Sequence, residues 1–178
     1  MISSTACVGG GPLQMVSLGK LIENEFEVFY ALPRSNLSFF NLKKENTVYI
    51  QERKLSLKDI YNLVKFIQVN SIGILHAHGK GAGLIGRILK FLTKKPLIYS
   101  FHGIHIKCHN ILIKNLYVFY ERYLGLIDDH KIFVSKSESL YAFKNKIIKN
   151  KNYSIINNSI LNKNFRKITN NFVNNKEI

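Results

Sequence analysis

Short apolar segments alternate with amphipathic segments along most of this 178-residue chain. Residues 97–101 (LIYSF) and 131–134 (KIFV) are typical of buried strands, whereas residues 57–69 repeat apolar side chains at helical spacing. Strands that alternate with helices form right-handed crossovers, which place the strands parallel in one sheet. The sequence therefore predicts an α/β fold: a Rossmann-like parallel sheet with helices on both faces.

The other predicted elements continue the alternation. Further strands are predicted at 27–32, 46–50, 72–76 and 153–156, and helices at about 13–23, 84–92, 111–126 and after the capping-box pair Ser135 and Glu138. The helix near 84–92 is predicted to carry Arg87, Lys90 and Lys94 on its polar face. A first strand is expected to be short, because few residues precede the glycines at 9–11.

The charge balance points to an anionic partner. Lys and Arg number 26 against 11 Asp and Glu, which gives a formal charge of +15. Such an excess favours phosphate, nucleic acid or an acidic membrane face without choosing among them. The two cysteines, Cys7 and Cys108, are too few for a disulfide scaffold. No signal-peptide pattern or long apolar run stands out, so we expect a soluble or peripheral protein in a reducing cytoplasm.

Ligands of parallel α/β sheets bind at the carboxyl ends of the strands, which selects the loops to consider. The first loop is Gly9-Gly10-Gly11-Pro12, expected just before a helix. Glycines there let the backbone approach a ligand, and a helix N-terminus favours phosphate. A tight strand-to-helix turn without a ligand explains the same residues, and the sequence leaves both interpretations open.

Histidines mark two further strand ends. His76 and His78 are two positions apart and would share one face of a strand. A metal site usually needs three or four ligands, so hydrogen-bonded histidines are favoured and no metal is predicted. His102 and His105 follow the strand at 97–101. His102 is placed to hydrogen-bond a sugar hydroxyl or a phosphate, or else to pair with loop backbone.

Two other features have structural interpretations. The adjacent carboxylates Asp128 and Asp129 do not share a face and are interpreted as structural. The helix at 111–126 is apolar almost all round, whereas a helix on a parallel sheet should keep a polar face. It is either buried in the core or against a partner, or in contact with lipid.

Five stretches, taken in order, match the motifs of one family. They are Ile2 to Gly11, Leu75 to Arg87 (LHAHGKGAGLIGR), Pro96 to Gly103 (PLIYSFHG), Glu121 to Glu138, and Ile155 to Ile160. Together they resemble the N-terminal domain of glycosyltransferase family 4, and the resemblance extends over nearly the whole chain. That family has the GT-B architecture of two facing Rossmann-like domains, so this chain would be one half of a GT-B fold.

The resemblance implies a retaining, metal-independent transfer of a sugar from a nucleotide-sugar to an acceptor. It implies His102 as the catalytic residue beside the transferred sugar, and Gly10, Gly11, His78 and Gly103 as substrate-binding residues. No resident cofactor is implied, because the nucleotide-sugar is a co-substrate. The protein would contribute positioning and electrostatic stabilisation.

The resemblance also implies what this sequence lacks. Residues 1–160 are predicted to form the acceptor-side domain and 161–178 a polar tail, and no two Glu residues stand eight positions apart as in the family's donor-binding half. Ser159 stands where the family usually has Gly. We therefore expect the isolated chain to be inactive without a separate donor-binding half.

The expected partners are a glycan or lipid-linked acceptor, that second half and an anionic membrane surface. An alternative function is a non-catalytic basic module that binds carbohydrate or membrane, or a degenerate fragment. Nucleic acid is not predicted as a partner, because no recognised nucleic-acid motif accompanies the charge.

Overall fold

The computed structural model describes residues 1–6, 10–34, 40, 42–104, 110–148 and 152–158. Within these ranges the strands are β1 (Ile2–Ser3), β2 (Tyr30–Pro33), β3 (Thr47–Ile50), β4 (Leu75–His78), β5 (Leu97–Phe101), β6 (His130–Phe133) and β7 (Tyr153–Ile155). The helices are α1 (Gly10–Ile22), α2 (Leu57–Val69), α3 (Lys80–Thr93), α4 (Ile111–Leu124), which a short 3-10 turn follows at Gly125–Ile127, and α5 (Lys136–Lys144).

The described strands form one parallel sheet in the order β3-β2-β1-β4-β5-β6-β7. Strand order runs outward from β1 in one direction and from β4 in the other, so the topological switch lies between these two strands. Ser3 of β1 pairs in register with His78 of β4, and His78 pairs with Ser100 of β5. This confirms the predicted α/β, Rossmann-like fold and places its ligand crevice beside His78.

Helix α3 lies unusually close to the sheet because its glycines have no side chains. A Cβ on Gly83 would lie 2.9 Å from the ring of Tyr99, and one on Gly86 would lie 2.9 Å from Leu97. Both of these β5 side chains are fully buried. Gly83 and Gly86 therefore allow close packing of α3 on β5.

The structure corrects the predicted position of Arg87. We expected it on the polar face of its helix, but the residue is 3% exposed and lies between α3 and α4. Its Nε donates to Asp128 Oδ1 (2.9 Å) and its Nη2 donates to Glu121 Oε2 (2.7 Å) and Asp128 Oδ2 (2.8 Å). Asp129 pairs with Lys90 and accepts from the backbone N–H of Leu97. Asp128 and Asp129 therefore have structural roles, as the sequence analysis predicted.

Helix α4 reverses the usual arrangement of side chains, with a polar residue buried and apolar residues exposed. Glu121 is its one buried residue, and the half-buried Tyr117 and Tyr120 accompany it on the inner side. The outer side is apolar: Leu112 is 73% exposed and Leu116 is 69% exposed. Core packing, one of the explanations weighed for this segment, is wrong for most of its apolar side chains. No helix among the described ranges is long and apolar enough to cross a membrane.

Candidate functional site

Three chain segments meet at the carboxyl edge of the sheet beside the topological switch. They are the first turn of α1, the end of β4 and the segment that follows β5. Contrary to the prediction of a loop, Gly10 and Gly11 belong to α1 itself and form its first turn. Gly9, Cys7, His105, Cys108, Ser159 and the tail at 161–178 lie outside the described residues.

The centre of this edge is a pair of hydrogen-bonded histidines. Nδ1 of His78 lies 3.0 Å from Nε2 of His102, with the two rings nearly parallel at 22°. The ring of His76 is 4.0 Å from that of His78, as expected for residues two apart on a strand, and its Nε2 lies 2.8 Å from Ser100 Oγ. The predicted catalytic residue is therefore joined directly to a predicted binding residue.

The first turn of α1 lies against this pair. A Cβ added to Gly11 would be in van der Waals contact with His102, 3.5 Å from its Cγ, so the first turn of α1 lies beside the imidazole. Nothing lies within 4 Å of the same position on Gly10, which is exposed. The N–H groups of a helix's first turn have no partner within the helix and attract anions. The edge thus combines an anion-favouring helix end with a histidine.

Each imidazole keeps one buried nitrogen without a partner among the described residues, namely Nε2 of His78 and Nδ1 of His102. Burial lowers the pKa of His102 to about 4 and of His76 to about 3, and it holds the pKa of His78 well below its usual value. The rings are therefore neutral at physiological pH. A neutral imidazole can donate or accept one hydrogen bond at each nitrogen, which suits a hydroxyl group.

Gly103 has a structural role, which its backbone conformation and its backbone N–H fulfil. It has a φ of +91°, a conformation that favours glycine, and its N–H donates to Glu138 Oε1 (2.7 Å). Glu138 Oε2 accepts from the N–H of Val134 (3.1 Å), and Glu138's own N–H donates to Ser135 Oγ (3.1 Å). The sequence indicated Glu138 only as half of a capping box and missed this bridge between β5 and β6. A ligand role for Gly103 stays a prediction and would fall to its carbonyl.

Metal binding has no support from the described residues, where no group of three or more His, Cys, Asp or Glu has ligand geometry. In the His78–His102 pair the two facing nitrogens are bonded to each other. The expectation of a metal-independent reaction stays a prediction.

Two known glycosyltransferases resemble part of this chain in sequence. The chain is 31% identical over 90 residues to the Escherichia coli O-antigen biosynthesis glycosyltransferase WbnH, and equally to the probable O-antigen biosynthesis glycosyltransferase WbiN. The matched stretch is 51% of this chain and 27% of each relative. No protein-family profile matches, so membership of glycosyltransferase family 4 stays a prediction.

Solved structures share the fold over almost the whole chain. Anabaena HepE, whose crystal structure contains UDP and glucose, superimposes with a TM-score of 0.69 at 13% identity. A glycosyltransferase from Rickettsia africae gives 0.67 at 16% identity. In both cases 96% of this chain is covered, and it spans 48% of the other chain. MurG of Acinetobacter baumannii gives 0.56 at 12% identity, with 92% of this chain and 46% of MurG covered. The chain thus matches about half of each structure.

Proposed function

We propose that this chain is the acceptor-side half of a glycosyltransferase that transfers a sugar from a nucleotide-sugar to a glycan or lipid-linked acceptor. One observation carries the proposal. The neutral, half-buried His102 lies against the N-terminal turn of α1 at the switch point of the sheet. The identity to two O-antigen glycosyltransferases and the fold shared with a structure that holds UDP and glucose support it.

The proposed roles follow from this geometry. The Nδ1 of His102 is unpartnered but buried, so it bonds a hydroxyl of the transferred sugar only once the bound substrate displaces the groups that cover it. The first-turn N–H groups of α1, at Gly10 and Gly11, face the donor phosphates and stabilise the charge that develops when the sugar leaves. The donor nucleotide is bound by a second half that is separate from the described residues. The nucleotide-sugar is a co-substrate, and no resident cofactor is required.

A transfer assay tests this function. Purified chain is incubated with radiolabelled nucleotide-sugars, UDP-sugars first, and a membrane extract as acceptor, with and without lysate of the source cell. We expect transfer only with lysate, which supplies the donor half. His102→Ala should then lower the rate about a hundredfold, the usual loss for one preorganised hydrogen-bonding group.

The matched control is His130→Ala. His130 is also a strand histidine bonded to a serine, with Nε2 2.9 Å from Ser154 Oγ, but it begins β6 away from the site. This variant should transfer at the wild-type rate. Wild-type transfer by His102→Ala, or no transfer in either arm with a verified acceptor, would contradict the proposal.

The exposed apolar side of helix α4 supports a second proposed property, attachment to an anionic membrane. Nine exposed apolar side chains cover α4 and the turn after it: Ile111, Leu112, Ile113, Leu116, Phe119, Tyr123, Leu124, Leu126 and Ile127. The formal charge of +15 gives the chain the sign that complements acidic lipids. A lipid-linked acceptor would be presented at such a surface. We therefore assign the outer face of α4 to the inner, cytoplasmic face of a membrane, on which the chain binds peripherally.

Vesicle co-sedimentation tests the membrane face. Binding is expected to phosphatidylglycerol vesicles and to weaken with salt, but not to phosphatidylcholine vesicles. Leu116→Asn should lower partitioning about tenfold to a hundredfold, because a buried leucine contributes roughly 1.5–3 kcal/mol. Leu57→Asn is the control, since Leu57 is 89% exposed on α2. Equal binding to both lipids would overturn the assignment, and so would a Leu116→Asn variant that self-associates less but binds lipid normally.

A further inference from the structure

The geometry points to His78 as a positioning residue that fixes the orientation and tautomer of His102. We propose that the bond between His78 Nδ1 and His102 Nε2 (3.0 Å) holds the His102 ring in place and decides whether its free Nδ1 acts as a donor or as an acceptor. The inference deepens the proposed function. It rests on that function only where it concerns the contact between His102 and the substrate. In this proposal His78 positions His102, whereas the resemblance implied that His78 contacts the substrate directly.

A count of protons explains the coupling. Between two neutral rings, one of the facing nitrogens carries the hydrogen and the other accepts it. If His78 Nδ1 donates, His102 is protonated at Nδ1 and presents a donor. If His102 Nε2 donates, its Nδ1 is bare and presents an acceptor. The unpartnered nitrogens, His102 Nδ1 and His78 Nε2, therefore always have opposite character. The state of one ring sets the state of the other.

His78 is the rigid member of the pair. It is 4% exposed, and its backbone lies in register between β1 and β5. Its ring is covered by that of His76, which is itself anchored on Ser100. His102, by contrast, lies beyond the end of β5, is less buried, and is followed by Gly103 at a positive φ. Orientation therefore passes from the sheet through His78 to His102.

The matched variants follow from side-chain length. Nδ1 of histidine and the amide atoms of asparagine are the same number of bonds from Cα, so His78→Asn keeps a polar atom near the bonding position. His78→Gln places its amide at the distance of Nε2, and His78→Leu has no polar atom. Asparagine should therefore replace the function of His78, whereas glutamine and leucine should not.

Nitrogen NMR of the full chain, labelled with ¹⁵N-histidine, measures the tautomer without any need for activity. In wild type, we expect His102 to show one protonated and one bare nitrogen, with well-separated resonances. His78→Leu and His78→Gln should merge these toward an exchange average, and His78→Asn should restore the separation. His130→Asn is the second control, because His130 begins β6 away from the site, and it should leave the His102 resonances separated. Backbone amide spectra confirm that each variant is folded.

The transfer assay gives the second readout. His78→Leu should lower the rate roughly tenfold to a hundredfold, the range for partners that orient a histidine, and His78→Asn should recover most of it. An unchanged His102 tautomer in folded His78→Leu would overturn the inference, as would equal loss in the Asn and Leu variants. Loss of the proposed function alone would show as absent wild-type transfer beside an intact tautomer effect.

Discussion

Replacing Arg87 with methionine is expected to lower the free energy of unfolding by about 3–5 kcal/mol, because the change leaves buried carboxylates without their cation. The Arg87 guanidinium bonds both Glu121 and Asp128, and all three side chains are almost completely buried. Burial lowers the pKa of Arg87, but the bond to Asp128 and the charge of Glu121 outweigh it and raise the pKa. Burial also raises the pKa of Glu121.

Lys131 limits the loss without removing it. Its Nζ lies 3.5 Å from Asp128 Oδ2 and donates to the carbonyl of Gly125, so Asp128 keeps one positive neighbour. Glu121 keeps the distant hydroxyl of Tyr99, at 3.5 Å, and the hydroxyl of Tyr117 as neighbours, and neither of them carries a positive charge. The double variant Arg87→Met, Glu121→Met removes the isolated charge and should recover part of the stability. A recovery of that kind would identify the uncompensated carboxylate as the cause.

Urea unfolding followed by circular dichroism measures this effect. The control is Lys90→Met on the same helix, which breaks the more exposed pair with Asp129 and should cost no more than about 1 kcal/mol. Equal losses in the Arg87 and Lys90 variants would contradict the ranking. Because Glu121 is the buried residue of α4, the Arg87 variant should also loosen that helix, visible as faster amide exchange across 111–124.

The capping residue and the apolar spacing predicted both ends of helix α2 correctly, whereas the predicted ends of the strands were less accurate. Ser56 Oγ accepts from the N–H of Asp59 (3.5 Å), and the apolar spacing that follows ends with the helix at Val69. The strand predicted at 72–76 is Leu75–His78 in the structure. Pairing with β1 and β5 sets these limits, and such register is not encoded in the strand's own residues.

For the candidate site, the sequence predicted which loops lie together but not the contacts between their side chains. Topology alone indicates that the ends of β1, β4 and β5 meet, which brings His78 and His102 to one edge. It does not reveal that the two rings bond to each other, or that Glu138 bridges to Gly103, because both contacts depend on side-chain placement across strands. Arg87 was misassigned for a related reason: on helical spacing it lies with lysines, and its buried partners come from other elements.

Acidification should destabilise the fold by at least about 4 kcal/mol between roughly pH 7 and pH 5. His76, His78 and His102 are neutral in the folded chain because burial holds their pKa values below the ordinary 6.5. The unfolded chain binds these protons near pH 6.5, so the stability they contribute is complete above that pH. It is lost as the pH falls toward the folded values. His76 and His102 each account for about 2 kcal/mol of this loss, and His78 adds to it in the same direction.

Urea unfolding across this pH window separates the imidazoles from other causes. His76→Leu removes one titrating ring and should reduce the loss of stability over this pH window by about 2 kcal/mol. Ser100→Ala removes the hydroxyl partner of His76 but keeps the ring, so it should shift the whole stability curve without changing its slope. A flat curve between these pH values would show that the three rings are not held neutral. Because small domains unfold with only about 5–15 kcal/mol, the expected loss is a large fraction of the whole stability of the chain. The neutral rings that suit a sugar hydroxyl therefore make the fold sensitive to acid.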